Sequence, residues 1–319
     1  MLTYILFALG FVFLIKGADL LVDGSCSIAK RIGVSDLVIG LTIVSFGTSA
    51  PELLVNVMAS IKGSSDIVVG NVIGSNIANI FLILGVSALI YPLRVRKSTT
   101  WKEIPLNVLA AVAILLLAND IFIDNAIGSY ISRIDGFILI LFFVVFMSYT
   151  FSLAKHENGE NHKDKIFKYS LPVALLMTVA GIFGLTYGGK WVVEGAINIA
   201  RVFGLSEAMI GATIIALGTS LPELAASAVA AYKHRTDIAI GNVVGSNIFN
   251  AFWVLGISAV INPILFKPEL NADALIFLMA TVMLFLFAIT GGKNHIERHE
   301  GGIFVACYIG YIVFLVIRG

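Results

Sequence analysis

Charge is what this chain has least of. Asp, Glu, Lys and Arg make up 13% of its 319 residues, about half the ~25% usual in soluble domains. The apolar share is 58% and the mean hydropathy is +0.96. A soluble core of this size has no use for so much apolar surface, so the chain reads as an integral membrane protein. The net charge of +1 excludes a nucleic-acid reader, which needs a basic face. Cysteine is scarce too. Cys26 and Cys307 lie 281 positions apart, and neither stands in a C-x-x-C spacing, which excludes a disulfide scaffold. The five histidines (His156, His162, His234, His295 and His299) all fall between apolar runs and read as solvated.

What the chain does have is apolar runs of membrane-crossing length. They fall near 2–28, 37–61, 67–91, 104–120 and 134–154, then near 170–198, 208–232, 238–262, 272–290 and 301–317, with edges good to about four residues. The runs are continuous rather than alternating, so helices are expected and not a barrel. The first run is too long for a signal peptide and has no basic start, so it reads as a retained span. Residues 155–168 form the longest polar stretch and read as a solvated linker.

The two sets of five spans repeat. Residues 17–92 align without a gap on 188–263 at a constant offset of 171, with 36 identities in 76 positions. GTSAPEL (Gly47–Leu53) matches GTSLPEL (Gly218–Leu224), and GNVIGSNIANIFLILG (Gly70–Gly85) matches GNVVGSNIFNAFWVLG (Gly241–Gly256). Five is odd, so the second set must enter the membrane from the opposite side. The expected fold is therefore an all-α protein of ten transmembrane helices in two inverted-topology five-helix repeats. The first repeat covers 1–154, a cytoplasmic linker 155–169, and the second repeat 170–319. Basic residues number fourteen in the loops opposite the termini and five on the terminal side, which predicts a multi-pass cell-membrane protein with both termini extracellular.

Most acids lie near span ends, but Glu52 and Glu223 lie within about one helical turn of the middle. A carboxylate there costs at least ~2.5 kcal/mol. An inverted two-fold axis can bring the two together, and two anions cannot stay close in a low dielectric without a cation or protons. Pro51 and Pro222 should break the helices just ahead of them and release carbonyls, with Ser45, Thr48, Ala216 and Thr219 as the candidates. Asn71, Ser75 and Asn79 form a stripe at i, i+4 spacing, and Asn242, Ser246 and Asn250 repeat it. Gly70/Gly74 and Gly241/Gly245 permit close helix approach. Two carboxylates and two carbonyls offer six oxygens, the lower end of what Ca²⁺ takes, with water or Asn to add. The cluster holds no His or Cys, which argues against zinc or copper. Ser hydroxyls, amide oxygens and carbonyls can also hold Na⁺.

The neighbouring polar residues carry plainer readings. Asn71 and Asn242 serve interhelical hydrogen bonding at least as well as ion contact. Asn76 and Asn247 turn about 100° from the stripe and read as packing residues. Lys16 reads as snorkelling or paired with an acid, and Asp19 and Asp23 as interfacial.

The paired GTS-x-PE and GN-x-x-GSN-I-x-N motifs resemble the Ca²⁺/cation antiporter superfamily, and within it the prokaryotic sodium/calcium exchanger branch. The resemblance covers essentially the whole chain. It implies a ten-helix exchanger whose first and sixth helices slide across an oxygen-rich core. It implies Glu52 and Glu223 as main calcium ligands with Thr48 and Thr219 as carbonyl ligands. Ser45, Ser49, Ser75, Asn79, Ala216, Ser220, Ser246 and Asn250 are implied as sodium-site or accessory residues. Some members carry Asp where this chain has Asn250, so two central carboxylates are expected here rather than three.

The leading expectation is secondary antiport of Ca²⁺ against Na⁺, with no cofactor, no obligatory protein partner and lipid as the surrounding medium. An H⁺/Ca²⁺ antiporter using the same glutamates is the close alternative, because protons neutralise the same pair. A cation channel would more usually employ oligomeric rings of acids. An intramembrane hydrolase lacks a membrane-depth His for a Ser–His dyad, and the acid pair as an aspartic-type site leaves the doubled polar stripes without a role.

Overall fold

The computed structural model describes residues 2–123, 126–157, 169–204, 216–290 and 294–318, with 155–157 and 216 described by backbone alone. Helices α1 (Leu2–Ile32), α4 (Ser65–Ile90), α5 (Lys97–Leu117), α6 (Arg133–Glu157) and α7 (Leu171–Val202) are joined by α9 (Thr236–Ile261), α10 (Pro268–Thr290) and α11 (Arg298–Arg318). These eight are long and apolar enough to cross a membrane. A ninth span is a bent pair, α2 (Asp36–Thr48) and α3 (Ala50–Ile61), broken by 48°. The span expected near 208–232 is described from Ala216 onward, as a short turn Ala216–Gly218 and helix α8 (Leu221–Tyr232). Its earlier part, and the linker but for its ends, lie outside the described residues.

Local chemistry sets the breaks. α1 stops where Gly33 takes φ +76°, the left-handed conformation that ends many helices. The Ser35 side chain then accepts from the Val38 amide and starts α2. Pro51 and Pro222 sit in the first turns of α3 and α8, where a missing amide is tolerated. Gly47 and Gly218, four residues back, lose the donor that an unbroken helix would supply.

α4 and α9 form the centre. Their apolar windows are 72% and 78% buried, against 22–44% for the other six continuous helices. Each widens into a π-helical stretch, Asn79–Leu84 and Phe249–Val254. α9 crosses α2 closely: a Cβ on Gly245 would stand 2.8 Å from the Leu41 carbonyl and 2.7 Å from Ser45 Oγ. The segment at the matching repeat positions, 205–215, lies outside the described residues.

Contacts between the halves are reciprocal. Asp66 pairs with Lys267 at 2.6 Å and Asp237 with Arg96 at 2.5 Å, and both acids and bases are 171 positions apart. Two short antiparallel bridges tie the halves again, Leu93 and Arg94 with Ile296 and His295, and Tyr130 and Ile131 with Leu265 and Ile264.

α1 and α7 pack against each other along a glycine seam. A Cβ on Gly10 would meet the Gly188 carbonyl at 2.9 Å, one on Gly17 the Gly181 carbonyl at 2.9 Å, and one on Gly24 the Ala174 carbonyl at 2.8 Å. The numbering rises on α1 as it falls on α7, so the two run antiparallel. α7 also lies against the broken helices, with Ile182 on Gly47 and Val193 on Gly218.

Lys233, following α8, joins this pair to the centre. Its ammonium stands 2.8 Å from both Asp19 and Asp23 of α1. Partial burial works against its charge, but the two carboxylates outweigh it and hold its pKa above the usual 10.5. While Asp19 and Asp23 are ionised, the bridge is thus fully present below the pKa of a free lysine and is lost as pH rises through the raised value. An ion pair this exposed contributes at most about 1 kcal/mol. Lys233→Met is therefore expected to lower the thermal midpoint in detergent by no more than roughly 3 °C, at any pH below 10. A fall of ten degrees or more would show the bridge to be a principal fastening.

Candidate functional site

Four helix ends and two helix middles converge at the break points. The short turns ahead of Pro51 and Pro222 present Thr48, Ser49, Thr219 and Ser220, and the first turns of α3 and α8 present Glu52 and Glu223. α4 and α9 run past them with their Asn–Ser–Asn stripes. Glu52 and Glu223 are each 1% exposed, and Ser49, three residues ahead of Glu52, reaches Glu223 from the other break.

The hydroxyls stitch each broken helix to the stripe of the other half. Thr48 Oγ1 donates to Asn242 Oδ1 at 3.1 Å, and Thr219 Oγ1 to Asn71 Oδ1 at 3.1 Å. Ser49 Oγ lies 3.0 Å from Ser246 Oγ, and Ser220 Oγ 3.3 Å from Ser75 Oγ. Asn242 Nδ2 donates to Ser227 Oγ at 2.9 Å, so Asn71 and Asn242 both make the interhelical bonds anticipated for them. The Ser45 carbonyl, expected to be released by the break, is not. It accepts from the Ser49 amide at 2.9 Å, with Thr48 Oγ1 a further 3.2 Å contact, because one regular turn persists ahead of the proline. The backbone of Ala216 lies in the equivalent turn, and its side chain is outside the described residues.

Symmetry fails at the carboxylates. Ser49 Oγ donates to Glu223 Oε1 at 2.8 Å, leaving Glu223 Oε2 without a donor, while both oxygens of Glu52 are without one. Asn79 Oδ1 and both amide atoms of Asn250 are also buried and unpartnered. Buried polar atoms are normally satisfied, and carboxylate oxygens only accept when ionised. Three amide nitrogens, those of Asn71, Asn247 and Asn250, are unpartnered as well, so among these residues five acceptor oxygens stand against three donors, an excess of oxygen that suits a hard cation.

Several polar residues around this centre are not in the expected set. Asn56 Nδ2 donates to the Glu52 carbonyl at 2.8 Å. Asn56 and Ser227 sit four residues after the two glutamates, so helical spacing alone would have placed them on the same face. Asn247 and Asn76, expected to pack away from the stripe, meet between α4 and α9. Farther out, buried Glu103 takes a hydrogen bond from Tyr149 Oη, and no spacing in the sequence signals that pair.

A profile of the family described as sodium/calcium exchanger protein matches residues 2–152 and 173–317. The chain is 38% identical to the putative antiporter CaxA of Alkalimonas amylolytica over 98% of both chains. It is 32% identical to the sodium/calcium exchanger MaX1 of Methanosarcina acetivorans, again over 98% of both. Among solved structures it matches the sodium-calcium exchanger NCX_Mj soaked with Na⁺ and Sr²⁺, with a TM-score of 0.83, 34% identity and 98% coverage of each chain.

Proposed function

The chain belongs to the sodium/calcium exchanger protein family, and from that premise we propose that it exchanges Ca²⁺ for Na⁺ across a membrane at one alternating-access site. Glu52 and Glu223 serve as the anionic ligands, with the Thr48 and Thr219 carbonyls beside them. Ser49, Ser75, Asn79, Ser220, Ser246 and Asn250 supply further oxygens, and Ser45 and Ala216 shape the turns behind. The two halves, 1–154 and 170–319, act as inverted repeats joined by a cytoplasmic 155–169, with both termini outside.

One observation carries this reading: three of the four buried carboxylate oxygens have no donor. Two ionised glutamates match the charge of one Ca²⁺. When it leaves, their mutual repulsion in a dry site favours Na⁺ entering in its place. Exchange follows if the empty site resists changing sides, since an uncompensated anion pair is costly to carry through the bilayer. With Na⁺ high outside, the favoured direction is Ca²⁺ export.

The same bare oxygens support proton coupling as a second reading, because a proton on Glu52 would also satisfy it. Proteoliposomes separate the two. With pH clamped on both sides, an outward Na⁺ gradient is expected to drive Ca²⁺ uptake, and an outward H⁺ gradient without Na⁺ is expected to drive little. Flux driven by the pH difference alone would replace Na⁺ with H⁺ as the coupling ion.

A further inference from the structure

We propose that Asn247 is a positioning residue that aims the amide oxygen of Asn79 into the ion site. The inference rests on the reading of Asn79 as an ion ligand.

Asn76 and Asn247 occupy the same place in the two repeats, and each is fully buried. They meet where α4 and α9 pass one another, with Asn76 Nδ2 3.4 Å from the Asn247 carbonyl. Asn247 Oδ1 accepts from Asn79 Nδ2 at 2.9 Å. An amide side chain has one donor end and one acceptor end, and rotating the group exchanges them. Holding the nitrogen end fixes the other, and in this pairing the Asn79 oxygen and the Asn247 nitrogen are both left buried with no partner of their own. Without Asn247, the Asn79 amide is free to turn its NH₂ toward the cage, where a cation is repelled.

The hold is one-sided. The corresponding bond from Asn250 to Asn76 is not made, and both amide atoms of Asn250 are without partners. The two ligand asparagines are therefore not equivalent: one is pre-aimed by its neighbour across the axis and the other is free to turn.

The test uses the full-length protein in proteoliposomes, with Na⁺-driven Ca²⁺ flux measured against Na⁺ concentration. Asn247→Leu keeps the side-chain volume and removes the acceptor. It is expected to raise the half-saturating Na⁺ concentration about tenfold, the equivalent of ~1.4 kcal/mol, with a smaller change in maximal rate. Asn79→Ala is expected to do the same. The double variant should be no worse than either, because both remove one oxygen ligand. Asn247→Gln retains an uncharged amide acceptor for Asn79 and should stay within threefold of the unaltered protein, and it also guards against a Leu variant that fails to fold. If Asn79→Ala is impaired while Asn247→Leu is normal, or if the two effects add, Asn247 does not act through Asn79 and the inference falls. A normal Asn79→Ala removes the ligand reading itself, and the inference with it.

Discussion

Glu52→Gln and Glu223→Gln are each expected to suppress Ca²⁺ flux by at least a hundredfold while leaving the chain folded. Removing one charge from a buried cluster that binds a divalent ion costs about 3–5 kcal/mol, and each 1.4 kcal/mol is roughly tenfold in affinity. Folding should survive for reasons visible in the site. Neither Glu52 oxygen has a well-formed hydrogen bond, and Gln there keeps one acceptor oxygen while relieving the burden of a buried anion. Gln at 223 can still accept from Ser49 through its carbonyl oxygen. The clearest measurement is thermal unfolding with and without Ca²⁺, alongside flux. A ligand at a hundred times its dissociation constant stabilises the folded state by ~2.7 kcal/mol. The unaltered protein should show that upward shift, and both variants should lose it from an equal or higher starting midpoint. If Ca²⁺ still stabilises both variants and still crosses the membrane, the glutamates are not its ligands.

The sequence carried these two residues openly because of contrast. A carboxylate in an apolar run stands out, and a second at the same offset in a duplicated motif stands out more. The Asn–Ser–Asn stripes were legible for a similar reason, being polar at helical spacing on otherwise apolar helices. Asn247 was not. Its 100° displacement from the stripe suggests a packing face when α9 is considered alone. In the fold, that face also meets polar side chains, because α4 and α9 pass one another there and bring Asn76 and Asn79 against Asn247. Periodicity describes one helix and says nothing of what stands opposite. The pairing of Lys233 with Asp19 and Asp23 spans 210 and more positions and left no local trace either. Nor did the asymmetry at the carboxylates: Ser49 and Ser220 are the same residue in the same motif, yet only Ser49 reaches a glutamate. Matching residues in the two halves can express different contacts, and which half holds its carboxylate is a property of the packed state.

That packing also makes the seam between α1 and α7 a place where one methyl group matters. Gly181→Val is expected to slow exchange markedly while sparing Ca²⁺ binding. A Cβ at Gly181 would stand 2.6 Å from the Leu21 amide nitrogen and 2.7 Å from the Gly17 carbonyl. Both are backbone atoms, so no side chain can rotate out of the way and the two helices must part. Overpacking of this kind costs about 1–3 kcal/mol, or roughly 5- to 150-fold in rate if it falls on the step in which the pair moves against the site. The oxygen-bearing residues lie on α2, α3, α4, α8, α9 and the turns before α3 and α8, none on the seam, so the Ca²⁺-dependent thermal shift should persist. Gly310→Val on α11 is the control, since nothing lies within 4 Å of a Cβ there, and its flux should match that of the unaltered protein. If Gly181→Val loses binding together with flux, the seam belongs to the scaffold that shapes the cage. If both valine variants transport alike, close approach of α1 and α7 is no requirement for turnover.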